Sequence, residues 1–104
     1  MKYNMINECI GNYFKDRRIA NKYSMQFCAD KIGVSKSTYF NYEAGAISMP
    51  HEHIKTLLNL YNDDGNKLIS IMQTTFQNFL VQFYATIHGY NVTSSEDYEK
   101  EKVG

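Results

Sequence analysis

Ser24-Met25-Gln26-Phe27-Cys28-Ala29-Asp30-Lys31-Ile32-Gly33-Val34-Ser35-Lys36-Ser37-Thr38-Tyr39-Phe40-Asn41-Tyr42-Glu43-Ala44-Gly45 decides the fold. Ser24 stands where a hydroxyl can cap the first free backbone amides of a helix, with Phe27, Cys28, Ala29 and Ile32 forming its inward side. Gly33 ends that helix, because a left-handed residue reverses the chain and glycine adopts it without a Cβ clash. Ser35 caps a second helix in which Tyr39 and Tyr42 share a face, and Gly45 closes it. Ala29, four residues before Gly33, is the small side chain that two helices crossing at a tight turn need at their closest approach. Val34 tucks beneath the turn as a hydrophobic plug.

Outward from this pair, Ile6, Cys9, Ile10, Tyr13 and Phe14 recur at spacings of three and four and predict a first helix over 6–19. On the other side, Pro50 fits the first turn of a fourth helix carrying Ile54, Leu57, Leu58 and Tyr61, which Asp63-Asp64-Gly65 interrupts. A longer fifth helix is predicted over about 67–88, roughly 33 Å long, with Asn66 near its cap and Gly89 beyond its end. The expected class is all-α, four short helices plus a long C-terminal one. The single proline and six glycines are too few for the turns of an all-β chain.

The positions Ala29, Ile32, Gly33, Val34, Ser35, Tyr39, Tyr42, Glu43 and Gly45 together resemble the Cro-like phage-repressor (XRE) helix-turn-helix family. That family often pairs an arginine ending its first helix with a glutamate ending its third, and Arg18 and Glu43 occupy those places. The resemblance covers about residues 6–62 and implies a lambda-repressor-like bundle. Ala29, Gly33, Arg18 and Glu43 are its structural positions.

The resemblance implies that the helix from Ser35 to Tyr42 enters the major groove with its N-terminal residues facing base edges. Lys36, Ser37, Phe40 and Asn41 are then the base readers. Asparagine can bridge N6 and N7 of adenine, lysine can donate to guanine, serine can use either edge, and Phe40 can touch a thymine methyl. Ser24, with the free amides of its helix, Lys22, Lys31 and Ser35 are placed at the phosphate backbone. Two departures from the family lower the expected affinity of one monomer. Met25 stands where a phosphate-binding glutamine is common, and Ala46-Ile47-Ser48 lacks the usual basic residues.

Charge supports the division of labour. Residues 1–50 carry seven Lys/Arg against four Asp/Glu, and residues 51–104 carry four against seven, so the halves are +3 and −3. A basic half suits nucleic acid, although +3 is a weak electrostatic footprint. The two cysteines, Cys9 and Cys28, lack metal or disulfide spacing and predict reduced thiols. His51-Glu52-His53 is not the H-E-x-x-H spacing that puts two imidazoles on one helix face, so no metal is expected. No nucleophile, base and orienting acid can be assembled, and no glycine-rich phosphate loop is present, so the expectation is no enzyme, no cofactor and no small-molecule ligand. Asn4, Asn7 and Glu8 near the start do not form a secretory leader, and Gln73, Gln77, Asn78 and Gln82 interrupt the most apolar stretch, Leu68 to Ile87. A cytoplasmic protein without a membrane segment is expected.

The chain is expected to divide into a DNA-binding domain at 1–64, a dimerisation helix at 65–90 and a disordered acidic tail at 91–104. Ile69, Met72, Phe76, Phe79 and Phe83 repeat at spacings of three and four like the seam of a helix that packs along another. Leu68, Ile71, Leu80, Tyr84 and Ile87 add a second stripe. Two apolar faces exceed what a bundle of this size covers, which predicts a homodimer. Two functional readings remain: a homodimeric transcriptional regulator on an inverted-repeat operator, or a protein-interaction module, an antirepressor or inhibitor, that reuses the fold. Salt-dependent duplex binding separates them.

Overall fold

The structure, a computed structural model, describes residues 4–89. The tail expected at 91–104 lies outside the described residues. Five helices follow one another and no strand occurs among the described residues: α1 Met5–Ala20, α2 Met25–Ile32, α3 Lys36–Ala44, α4 His51–Leu60 and α5 Asn66–His88. The all-helical class agrees with the sequence reading. The chain divides inside α5 into one compact unit ending at Ile69 and another beginning at Ser70.

Local chemistry places each boundary of the first unit. Asn4 caps α1 by accepting from the amides of Ile6 and Asn7, Ser24 caps α2 through the amide of Phe27, and Ser35 caps α3 through the amide of Thr38. Each of these satisfies an amide that the first turn leaves without a partner. Pro50 stands at the N-cap of α4, one residue before the helix rather than within its first turn. Its side chain cannot accept a hydrogen bond, but its carbonyl receives the amides of His53 and Ile54.

The core of this unit is aromatic. Phe14, Tyr39 and Leu57 are fully buried, from α1, α3 and α4 respectively, and Cys28 and Ala29 bring α2 into the same core. Phe14 meets Tyr13 edge-on at 5.5 Å and stacks with Tyr61 at 6.5 Å, and Tyr23 also stacks with Tyr61, at 6.0 Å. Phe27 was expected inward and is instead 37% exposed. Its ring lies against Tyr23 at 4.5 Å and beneath the Lys31 ammonium at 5.1 Å. With Cys28, Ala29 and Ile32 already filling the inward side of an eight-residue helix, position 27 falls on its flank.

A polar clamp ties α1 to the loop after α4. The Tyr13 hydroxyl donates to Asp63, Arg17 donates to the Tyr13 oxygen at 2.9 Å and pairs with Asp63 at 3.3 Å, and the Gly65 amide donates to the other Asp63 oxygen at 2.8 Å. The hydrogen bond from Tyr13, aided by the Gly65 amide and Arg17, holds the Asp63 carboxyl below its usual range.

Burial of phenols makes the fold alkali-sensitive. Tyr39 and Tyr61 are both driven well above the ordinary phenol range, chiefly by desolvation; Glu43 adds to it at Tyr39 and Cys28 at Tyr61. A phenol whose pKa is raised on folding contributes fully below its unfolded value near 10, and the contribution is lost as pH rises above that. Stability should therefore fall from about pH 10 upward by about 1.4 kcal/mol per pH unit for Tyr39 alone, with Tyr61 steepening the slope. Urea midpoints between pH 9 and 11.5 test this, and a flat profile across that range contradicts it.

In the second unit α5 continues to His88, and Gly89 beyond it takes a left-handed φ of 79°. Its 23 residues span about 34 Å. Phe76, Phe79 and Phe83 are each exposed and form a continuous ladder on one side, with ring centroids 6.4 Å and 5.8 Å apart. Leu80, Tyr84 and Ile87 are exposed as well. No described helix is long and apolar enough to cross a membrane.

Candidate nucleic-acid interface

The α2–turn–α3 unit is built from the small residues outward. Ala29 is fully buried, and Gly33 has φ 74° and ψ 33°, the left-handed geometry that reverses the chain. The Val34 amide returns to the Ala29 carbonyl at 3.0 Å, closing the end of α2, and Ser35 begins the next cap. Three residues, Gly33 to Ser35, thus separate two helices.

α3 is held from behind. Tyr39, Tyr42 and Glu43 are buried, and the Tyr42 hydroxyl meets His53 Nδ1 on α4 at 3.1 Å. Arg18 at the end of α1 grips Glu43 with two bonds, Nε to Oε2 at 2.7 Å and Nη2 to Oε1 at 3.0 Å. Its third nitrogen, Nη1, donates to the Tyr23 carbonyl at 3.2 Å. The side chains are only 13% and 3% exposed, so this is a buried bidentate pair rather than a surface one. Hydrogen bonding to Glu43 raises the Arg18 pKa further above its already high value. The Tyr39 hydroxyl is buried beside Glu43 without a well-formed hydrogen bond of its own.

A residue that the sequence reading passed over sets the seat of α3. Gly11 lies inside α1, buried, and a Cβ built on it would stand 2.4 Å from the Tyr42 carbonyl oxygen and 2.5 Å from that of Glu43. The backbones of α1 and α3 therefore touch at Gly11. The available signal was a glycine in the middle of an otherwise periodic helix, which usually marks a close approach.

With its back held, α3 presents Lys36, Ser37, Phe40 and Ala44 to solvent, and Asn41 is half-buried beside them. Lys36 and Ser37 sit in the first turn, which contains no acidic residue. The first turn of α2 lacks acidic residues too, so both helix N-termini keep their positive character for an anion. Ser24 accepts the Phe27 amide at 3.0 Å, which leaves its hydroxyl proton available to a phosphate. Ser35 is more fully engaged, accepting the Thr38 amide and donating to the Thr38 hydroxyl, each at 3.0 Å. Lys22 is exposed with a left-handed φ of 59° at the α1–α2 turn, and Lys31 is exposed over Phe27. Gln26 is turned back to Asp30 at 2.8 Å.

No curated protein and no solved structure matches the chain. A family model described as Helix-turn-helix matches residues 14–62, from the middle of α1 through α4, and so contains the whole α2–turn–α3 unit with Arg18 and Glu43. Residues 14–62 thus form a helix-turn-helix domain of the Cro/C1-type XRE family, a family of DNA-binding transcription regulators.

Proposed function

We propose that the protein is a sequence-specific repressor of phage or mobile-element type that binds double-stranded DNA as a homodimer on an inverted-repeat operator. The observation that carries this reading is α3: a helix of the matched domain, anchored by Arg18–Glu43, that turns Lys36, Ser37 and Phe40 outward with Asn41 beside them. In the major groove Lys36, Ser37 and Asn41 meet base edges, with Phe40 alongside. Lys22, Ser24, Lys31 and the capped start of α3 at Ser35 meet the phosphates. The reading calls for no metal, cofactor or small-molecule ligand and for no catalysis, and it places the protein with the DNA, in the cytoplasm.

Selection of bound duplexes from a random pool, followed by titration at several salt concentrations, tests it. Asn41→Ala should cost about 1–3 kcal/mol on the preferred duplex and relax specificity at one position. An equal loss on every duplex would make Asn41 a phosphate contact. Failure to bind any duplex at low salt would replace this reading with a protein-interaction module built on the same fold.

The homodimer rests on α5. Ile69, Phe76, Phe79 and Phe83 are exposed at the spacing of a packing seam, with Met72 half-buried in the same register. From Leu68 to Ile87 the helix carries no charged side chain, so two copies can meet along it without like-charge repulsion. An inverted repeat with half-sites one turn of duplex apart, about 34 Å, calls for two copies of α3, and a two-fold dimer compensates for the modest affinity of one basic half. Light scattering should find a dimer at micromolar concentration that Phe79→Glu dissociates, with loss of operator binding. A monomeric wild type ends the dimer reading.

A further inference from the structure

The C-terminal half of α5 offers more apolar surface than one partner helix covers. Counted in sevens from Ile69, the first and fourth positions are Ile69 and Met72, then Phe76 and Phe79, then Phe83 and Thr86. The fifth positions are Gln73, Leu80 and Ile87. A helix that pairs with a single other keeps two positions in seven apolar, whereas a helix that faces the core of a bundle keeps a third beside the seam. α5 passes from the first pattern to the second along its length. In its last seven the seam itself turns polar at Thr86, and the apolar residue offered is Ile87, 62% exposed. Leu80, 41% exposed, follows Phe79 by one residue, and from Phe79 round to Tyr84 the exposed apolar arc is about 140° wide at 100° per residue. The Tyr84 ring closes the edge of this arc against His88, with centroids 4.1 Å apart.

The rest of the helix says what covers the arc. Its opposite side presents Thr74, Asn78 and Gln82, exposed and uncharged. A helix that lies on a lipid surface is rich in Lys and Arg on that side, so α5 lacks the means to settle on one. A foreign protein chosen by charge complementarity finds no charge to read between Leu68 and Ile87. A second copy needs none, because a two-fold axis sets a surface against itself. We infer that Leu80 and Ile87 join two homodimers into a tetramer through a four-helix bundle of α5 segments, and that this tetramer holds two operators at once. The inference rests on the homodimeric DNA-binding reading and adds to it a second interface and a second duplex. The Phe76, Phe79 and Phe83 ladder serves the pairing within each dimer, and the fifth-position residues beside it serve the contact between dimers, which closes an apolar core around all four helices. Where two operators lie on one DNA molecule, occupation of the first makes the second event intramolecular and so favours it.

Sedimentation of the wild-type protein across the micromolar range should show a species of four chains in exchange with one of two. Leu80→Gln combined with Ile87→Gln should leave the species of two chains alone. Both positions are exposed and glutamine is a good helix former, so circular dichroism should find the helix content unchanged. Leu80→Ala combined with Ile87→Ala is milder and should raise the tetramer dissociation constant at least about tenfold. Beads that carry one selected duplex should capture a second, labelled duplex when wild-type protein is added. The Leu80→Gln, Ile87→Gln protein should bind a single duplex with a Kd within about twofold of wild type, because its changes lie far along the chain from α3, and should capture no second duplex. A wild type that stops at two chains, a Leu80→Gln, Ile87→Gln protein that still forms four, or a tetramer that binds one duplex and never two overturns the inference while the homodimer stands. A monomeric wild type, or failure to bind any duplex, brings down the homodimeric regulator as well.

Discussion

Glu43→Ala should lower the unfolding free energy by about 3–5 kcal/mol, a large share of what a small domain possesses. The reason is the state in which it leaves Arg18. The guanidinium is 13% exposed and donates two of its bonds to Glu43, so the truncated protein must hold a nearly dry cation whose remaining contact is the Tyr23 carbonyl. Replacing both residues removes the stranded charge, so Arg18→Met with Glu43→Leu should recover much of the loss. A double-mutant cycle on urea unfolding should return a coupling well above 1 kcal/mol, beyond the range of exposed pairs. Coupling near zero would mean that the pair does not hold α1 and α3 together.

Gly11→Ala should destabilise by about 3 kcal/mol, the upper end of overpacking effects. Helix propensity alone predicts the opposite sign, a gain of about 0.5–1 kcal/mol for alanine in a helix interior. Packing prevails because the new methyl would meet the carbonyl oxygens of Tyr42 and Glu43 at 2.4 Å and 2.5 Å, and these belong to the backbone of α3 and cannot rotate away. Relief requires α3 to move off α1, which stretches the Arg18–Glu43 bonds and shifts Lys36 and Asn41 with the helix. Denaturation and duplex binding measured on the same variant test both parts. A stabilised Gly11→Ala protein would show that the two helices do not touch there.

Local rules decide the caps. Ser24 and Ser35 accept amides three residues ahead, and Gly33 turns left-handed, because these outcomes depend on atoms within a few positions along the chain. The periodicity of three and four in α1 and α4 and the joint spacing from Ala29 to Gly45 made the helical bundle and its family legible for the same reason. The identity of Arg18 and Glu43 was legible too, through the family pattern.

Their burial was not legible, nor was the exposure of Phe27 or the contact at Gly11. Each depends on how many neighbours from other helices reach one point. Whether an ion pair is dry, whether a flank position of α2 is covered, and whether two backbones approach until a Cβ has no space are properties of the crossing of α1, α2 and α3. Residues 25 positions apart, as Arg18 and Glu43 are, or 50 apart, as Tyr13 and Asp63 are, become neighbours only when that crossing forms. Periodicity names the face a helix will bury, but tertiary packing sets how deeply each residue on it lies and which partner it meets.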